Sequence, residues 1–211
     1  MNNENSNCFE RVGSAPQSEL YRVLGKRVFD VVLTLLVLPL VIPITGILAL
    51  LIALDGGKPF YRQDQIGKNG HIYRVWKLRL MVKDADVWLE HHRHHECGNG
   101  PDSLDASRLT GFGQFLRKSS FDELPQFFNV LAGDMSLVGP RPMVTSPTAL
   151  YPGGDYYDLQ PGITGLCQIS DQPYLTLSQR AVCDARYNRT LSFANDLAIL
   201  AGAFKAVLRR T

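Results

Sequence analysis

The run Val31–Leu54, VVLTLLVLPLVIPITGILALLIAL, holds 24 residues without a charged side chain and is bounded by Asp30 and Asp55. About 20 apolar residues suffice for a helix to cross a hydrocarbon core, and a run of this length is longer than a buried core helix needs. It starts too deep in the chain, runs too long and lacks a small-residue cleavage site behind it, so it does not read as a removable signal peptide. It is a retained, membrane-embedded segment, and the remainder of the chain has to fold beside a bilayer.

Pro39 and Pro43 stand near the middle of the run. Each deletes a backbone donor and crowds the preceding turn, so a bend is easily specified there. Cations flank both ends: Arg22, Lys26 and Arg27 before, Lys58, Arg62 and Lys68 after. Lys and Arg mark cytoplasmic flanks, so this balance gives no orientation and allows both ends to be cytoplasmic. A kinked re-entrant helix that enters and leaves by one face fits the pattern, and so does a single kinked spanning helix.

The expected layout is a disordered tail over 1–25, a membrane helix over 26–55 and a cytoplasmic catalytic domain over 56–211. The tail is polar, contains Gly, Ser and Pro, and has no periodicity. With a net charge of +2 and 20% charged residues there is no global basic field, so nucleic acid is excluded as the main partner. Cys8, Cys97, Cys167 and Cys183 form no CxxC pair, which argues against a disulfide framework or a zinc site.

The predicted fold class is α/β, mostly helical, with a short β-hairpin. Strands around Lys58–Arg62 and His71–Lys77 flank the turn Ile66–Gly70. A helix is expected over Val82–His95, and helical spacing recurs from Gly111 to Leu131 with a break near Ser119-Ser120. Phe193–Arg210 reads as an amphipathic helix, lying on the membrane or packed in the domain. His91 and His95 share a helix face, but no second ligand pair accompanies them, so they read as a solvated helix end. Cys167 and Cys183 read as small core residues.

Asp122 and Glu123 follow Ser120 at this expected helix start. Ser120 is placed to be an N-cap, and acids in a first turn face unpaired amides and the positive end of the dipole, which keeps them ionised. Such acids ordinarily do no more than complement the dipole. Here they lie between Arg117-Lys118 and Gly139-Pro140-Arg141-Pro142, where prolines restrict the backbone around an arginine whose fork suits phosphate oxygens.

Several motifs occur in one order. They are Lys26-Arg27-x-Phe-Asp30, Tyr61-Arg-Gln63, Gly67-x-Asn-Gly70, Lys77-x-Arg79-x-Met81 and Leu116-Arg117-Lys-x-Ser120-x-Asp-Glu-Leu-Pro-Gln126. After them come Asn129-Val-x-x-Gly-Asp-Met-Ser136, Val138-Gly-Pro-Arg-Pro142 and Pro161-Gly-Ile-Thr-Gly-x-x-Gln168. Over about residues 26–208 the chain resembles the bacterial sugar transferase family, the small monotopic phosphoglycosyl transferases that begin exopolysaccharide or glycoconjugate assembly.

The resemblance implies that a sugar 1-phosphate passes from a UDP-sugar to polyprenyl (undecaprenyl) phosphate, with release of UMP. It implies Asp122 as a nucleophile that forms a covalent phosphosugar, and Glu123 as its partner. Mg²⁺ is implied as cofactor, held by Glu123 and Asp122. Arg79, Arg117, Arg141 and Lys77 are the candidates for substrate phosphates, since a carboxylate that attacks a diphosphate needs cations to offset charge. Pro140, Pro142 and Gln168 mark the expected uridine or donor region.

The chain's length resembles that of compact members that transfer galactose or glucose phosphate. The resemblance favours the re-entrant reading, with the enzyme in the inner leaflet of the bacterial inner membrane and its catalytic domain on the cytoplasmic side. A homodimer is an open alternative to a monomer.

Three positions depart from the family pattern. Ile42-Pro43 replaces a Ser-Pro at the kink, Arg79-Leu80-Met81 replaces Arg-Thr-Met, and Asp171-Gln172 replaces a Gly-Arg after Gln168. The last argues mildly for one of two rivals, the first named here. One is a catalytically impaired relative that acts as a scaffold in a polysaccharide assembly complex; the other is a membrane-anchored phosphatase or nuclease using the same acids.

Overall fold

The computed structural model describes residues 19–54, 56–81, 109–145, 151–169 and 176–210. The expected helix over Val82–His95, with its histidines, and the Asp171-Gln172 departure lie outside these residues. Within them the chain is mixed helix and sheet, with one long apolar helix near the N-terminus.

That helix, α1 (Lys26–Ala53), follows one wide π-helical turn at Tyr21–Gly25 and continues through Pro39 and Pro43. Asp30, Thr34, Leu38, Val41, Thr45, Leu48 and Ile52 are buried at three- and four-residue spacing, so one face packs inward. Leu36, Leu40, Ile47 and Leu50 are 60–71% exposed. The helix is long and apolar enough to cross a membrane by length and composition, and this continuous exposed apolar surface suggests membrane association.

Both ends of α1 are tied to the same body. At its start, the Arg27 guanidinium donates to the carbonyls of Val130 (2.5 Å) and Leu131 (2.8 Å), and the Leu137 amide donates to Asp30 Oδ1 (3.1 Å). At its end, Leu48, Ala49 and Ile52 pack with Leu78 and Leu116, and Arg79 Nη2 donates to the Ile52 carbonyl (3.2 Å).

The expected hairpin is present and longer than the sequence indicated. Strand β1 (Phe60–Ile66) pairs antiparallel with β2 (Ile72–Leu78), with Phe60 opposite Leu78 and Ile66 opposite Ile72. A 3₁₀ turn over Lys68–Gly70 joins them, and its left-handed positions fall on Asn69 (φ 57°) and Gly70 (φ 75°), residue types that tolerate that region. The helical stretch from Gly111 also breaks where expected, into α2 (Gly111–Ser119) and α3 (Gln126–Ala132).

Beyond α3, strand β3 (Ser136–Val138) pairs in parallel with β5 (Gly162–Thr164). Between them lie β4 (Met143–Val144), which adds to the free edge of β1, and the short helix α4 (Asp155–Asp158). Two helices close the chain, α5 (Leu177–Arg189) and α6 (Phe193–Arg210). The main core gathers Tyr73 and Val75 of β2, Val130 of α3, Leu137 of β3, Tyr187 of α5 and Ile199 of α6, with Phe29 and Leu33 of α1 against it.

A buried polar knot fastens the two ends of the chain together. Asp196 accepts from Tyr21 Oη and Tyr187 Oη, each at 2.7 Å, and pairs with Lys26 Nζ at 2.9 Å. Lys26 also reaches Asp30 at 3.4 Å. The two carboxylates thus share one ammonium, and burial pushes the Asp30 carboxyl up from its usual range.

Candidate active site

The residues that resemble a catalytic motif sit between two helices. Ser120 ends α2 with a left-handed backbone (φ 57°), a conformation a non-glycine residue seldom adopts and one that closes helices. The chain then enters a 3₁₀ turn, Phe121–Glu123, and α3 begins only after Pro125. This corrects the expected geometry: the Ser120 side chain makes no capping hydrogen bond, its amide instead closes α2 on the Arg117 and Leu116 carbonyls, and the acids occupy a single tight turn rather than the first turn of an α-helix.

The electrostatics change with it. Asp122 is 8% exposed, and burial followed by the neighbouring Glu123 charge pushes its carboxyl up to about 7, against the opposing pull of Lys77 and Arg117. The expectation that a helix dipole keeps this acid ionised therefore fails. Near neutrality Asp122 is divided between neutral and charged forms.

A cleft of about 660 Å³ opens beside this turn. Lys77 of β2, Ser120 and Glu123 of the turn, Arg141, Pro142 and Gln168 all line it. Asp122 is not among the residues that line it; it is buried in the turn between Ser120 and Glu123, which do, and lies within electrostatic reach of Lys77, Glu123 and Arg117. Gln168 donates weakly to the Ile163 carbonyl (3.4 Å), and its Oε1 is buried without a hydrogen-bond partner among the described residues.

Four of the sequence candidates do not line the cleft: Asp122 and Arg117, which interact electrostatically beside it, and Arg79 and Pro140, which are placed elsewhere. Arg79 borders a separate hollow with Leu51, Ile52, Met81 and Phe112, where it joins the end of α1 to the end of β2. Pro140 is buried and serves through its backbone, its carbonyl accepting from Gly162 (2.8 Å).

That backbone contact explains the glycines around Arg141. A Cβ on Gly139 would lie 2.2 Å from the Gln160 carbonyl oxygen, and one on Gly162 would lie 2.1 Å from the Gly139 nitrogen. Only two glycines let β3 and β5 approach this closely, and the approach delivers Arg141 and Gln168 to one cleft.

Asn129 has a role that was not evident in the sequence. Its Oδ1 accepts from the Trp76 amide (3.0 Å) and its Nδ2 donates to the Arg74 carbonyl (2.8 Å). One side-chain amide thus takes the part of a neighbouring strand along the outer edge of β2. It fixes α3, and so the acidic turn before it, against the strand that carries Lys77. Its place in Asn129-Val-x-x-Gly-Asp-Met-Ser136 was the available signal, but spacing alone does not show which edge an amide will cap.

Among the described residues no group of three or more His, Cys, Asp or Glu is arranged to hold a metal ion. The donor set at the turn is a pair of adjacent carboxylates. That suits Mg²⁺, which takes one or two carboxylates and fills its remaining positions with substrate phosphates and water.

The model of the family described as bacterial sugar transferase matches residues 21–210, nearly the whole described chain. The chain belongs to the bacterial sugar transferase family. Among the members it resembles, the undecaprenyl-phosphate galactose phosphotransferase of Salmonella typhimurium is 37% identical over 199 residues, 88% of this chain and 40% of that protein. The exopolysaccharide production protein ExoY of Rhizobium meliloti is 36% identical over 193 residues, 87% of this chain and 85% of that protein. The UDP-glucose:undecaprenyl-phosphate glucose-1-phosphate transferase of Caulobacter vibrioides is 37% identical over 192 residues, 84% of this chain and 67% of that protein. The chain thus spans two fifths of the length of some sugar transferases and most of the length of others.

Proposed function

We propose that this sugar transferase moves a sugar 1-phosphate, galactose or glucose phosphate, from its UDP-sugar to polyprenyl phosphate, as the first step of exopolysaccharide or glycoconjugate synthesis. The observation that carries the proposal is Asp122: a buried carboxyl raised to about 7, next in the chain to Glu123, which lines a cleft with Lys77 and Arg141. A dipole-complementing acid has no reason to be desolvated. A nucleophile does, because a carboxylate stripped of water and raised in basicity attacks better than a solvated one.

In the proposed first step an Asp122 oxygen attacks the β-phosphorus of the UDP-sugar. The bond from that phosphorus to the bridging oxygen breaks, and UMP leaves with the bridging oxygen. The sugar phosphate is now an acyl phosphate on Asp122. An oxygen of polyprenyl phosphate then attacks the same phosphorus, the bond to Asp122 breaks, and polyprenyl diphosphate sugar leaves with the carboxylate restored.

Lys77 and Arg141 supply cationic donors to the diphosphate, and Arg117 holds positive charge behind Asp122. Gln168 offers an amide for a polar group of the donor. Glu123, with Asp122, would hold Mg²⁺, whose chemistry is to neutralise charge on the diphosphate and on the departing UMP.

The membrane arrangement is consistent with this chemistry. A spanning helix would carry one end about 30 Å from the domain at the other. Here both ends of α1 bond to one body, which supports a re-entrant segment with both flanks on the cytoplasmic face, where UDP-sugars are. The cleft would then open at headgroup level in the inner leaflet.

Purified full-length protein in mixed micelles, given UDP-galactose or UDP-glucose, Mg²⁺ and polyprenyl phosphate, should release UMP. Without acceptor, peptide mass spectrometry should find a hexose phosphate on Asp122. Release that persists in Asp122→Ala, or a label on any other residue, overturns the mechanism. No release from either donor by folded protein overturns the activity and favours a scaffold.

A further inference from the structure

Helix α6 changes character halfway along. Asp196 and Ile199 of its first turns are 0% exposed, locked into the knot and the core. Then Leu200, Ala203, Phe204 and Val207 recur at i, i+3, i+4 and i+7, one stripe of the helix, and all four line the cleft. Phe204 is 68% exposed there, a large apolar side chain with little to cover it.

The same cleft holds the cations Lys77 and Arg141. Charge at one part of a cleft and an apolar wall at another recognise an amphiphile with an anionic head. A UDP-sugar is not one, since uridine, diphosphate and hexose are polar throughout. Resting on the proposed transferase activity, we propose that the stripe Leu200-Ala203-Phe204-Val207 is the chain subsite of the acceptor. It takes the first isoprene units of polyprenyl phosphate while the phosphate lies toward Lys77 and Arg141.

The stripe is about 10 Å long at 1.5 Å per helical residue, so only the head-proximal part of the chain is read and the rest stays in lipid. The enzyme should therefore require a hydrocarbon chain yet become indifferent to its length beyond the first units.

The test compares UMP release with dimethylallyl phosphate and with a long polyprenyl phosphate, in micelles at matched mole fraction, with saturating UDP-sugar and Mg²⁺. Wild type should favour the long acceptor. Phe204→Ser, at an exposed position where folding does not depend on the ring, should lower the long-to-short ratio of kcat/KM by about tenfold, the change that 1.4 kcal/mol of lost binding gives. Phe204→Leu should restore most of the ratio. Val182→Ser, which removes a comparably exposed apolar residue on α5, should match wild type.

A ratio unmoved by Phe204→Ser overturns the subsite while leaving the transferase reading intact. So does a rise in KM for the UDP-sugar in its place, which would assign the wall to the donor. If folded wild type releases no UMP with either acceptor, the transferase reading fails and the subsite falls with it.

Discussion

Replacing Asp122 with asparagine should produce an enzyme that is both inactive and more stable than wild type, by an amount that depends on pH. In the folded chain this carboxyl titrates at about 7, against 3.8 for an unperturbed Asp. The folded state therefore binds the proton more tightly than the unfolded state. Wild-type stability falls as pH rises from about 4 and stops falling once pH passes about 7. The loss runs at up to about 1.4 kcal/mol per pH unit, tapering near pH 7, and reaches about 3 kcal/mol between pH 5 and pH 8.

A side-chain amide does not titrate, so the Asp122→Asn variant escapes this loss. Relative to wild type it should gain about 3 kcal/mol on going from pH 5 to pH 8, which is about 6–12 °C in Tm for a chain of this size. The measurement is thermal unfolding of both proteins in the same detergent with EDTA and without nucleotide, since bound Mg²⁺ or substrate would lower the carboxyl's pKa. A difference in stability that stays constant across this pH range would refute the argument that Asp122 is buried at an energetic cost. UMP release by Asp122→Asn would refute the reason given for that cost.

Four other outcomes follow from the same geometry. Formation of the phosphosugar on wild-type Asp122 should rise with pH to a plateau, with a midpoint at or below about 7, because only the ionised carboxyl attacks and each added cation favours that form; a rate that falls over this range contradicts it. Arg141→Lys should raise KM for the UDP-sugar about tenfold by replacing a planar fork with a point charge, whereas Arg79→Ala should lower Tm and leave that KM in place. Asn129→Leu leaves the Trp76 amide and Arg74 carbonyl unpaired and should cost about 1–3 kcal/mol in denaturant unfolding. A label attached at Leu20 and another at Gly57 should both react with a membrane-impermeant reagent from the cytoplasmic side only; reaction from opposite sides would establish a spanning helix.

Local signals in the chain were readable where local physics decides them. The apolar run, the Asn-Gly turn between two strands and the break at Ser119-Ser120 each depend on a few neighbouring residues, and each element appears within a few residues of its expected place. Of the residues the sequence grouped together, Lys77, Glu123, Arg141, Pro142 and Gln168 do meet in one cleft. What could not be read was distance in space. Arg79 follows Lys77 by two residues, so the two share a side of the strand's path, but β2 ends between them at Leu78 and Arg79 turns to the end of α1. The dipole argument for Asp122 failed for a similar reason: it assumed an exposed first turn, and tertiary packing buried the residue instead. Asn129 and Asp196 carry hydrogen bonds to segments 53–55 and 175 residues away, which no local pattern encodes.

The knot around Asp196 also sets an order of events during synthesis. Lys26 and Asp30 leave the ribosome early, with α1, but Asp196 of α6, which pairs with Lys26, and Tyr187 of α5, which donates to Asp196, come late in the chain. The separation from Tyr21 to Asp196 is 175 residues, which at ribosomal speeds of about 5–20 residues per second is a wait of ~10–35 s. During that interval α1 lacks its polar clasp and the cleft lacks its apolar wall, so α1 is made well before the contacts that hold it are complete. A chain truncated before α6 would leave Lys26 without Asp196 and the cleft without the wall formed by Leu200, Ala203, Phe204 and Val207.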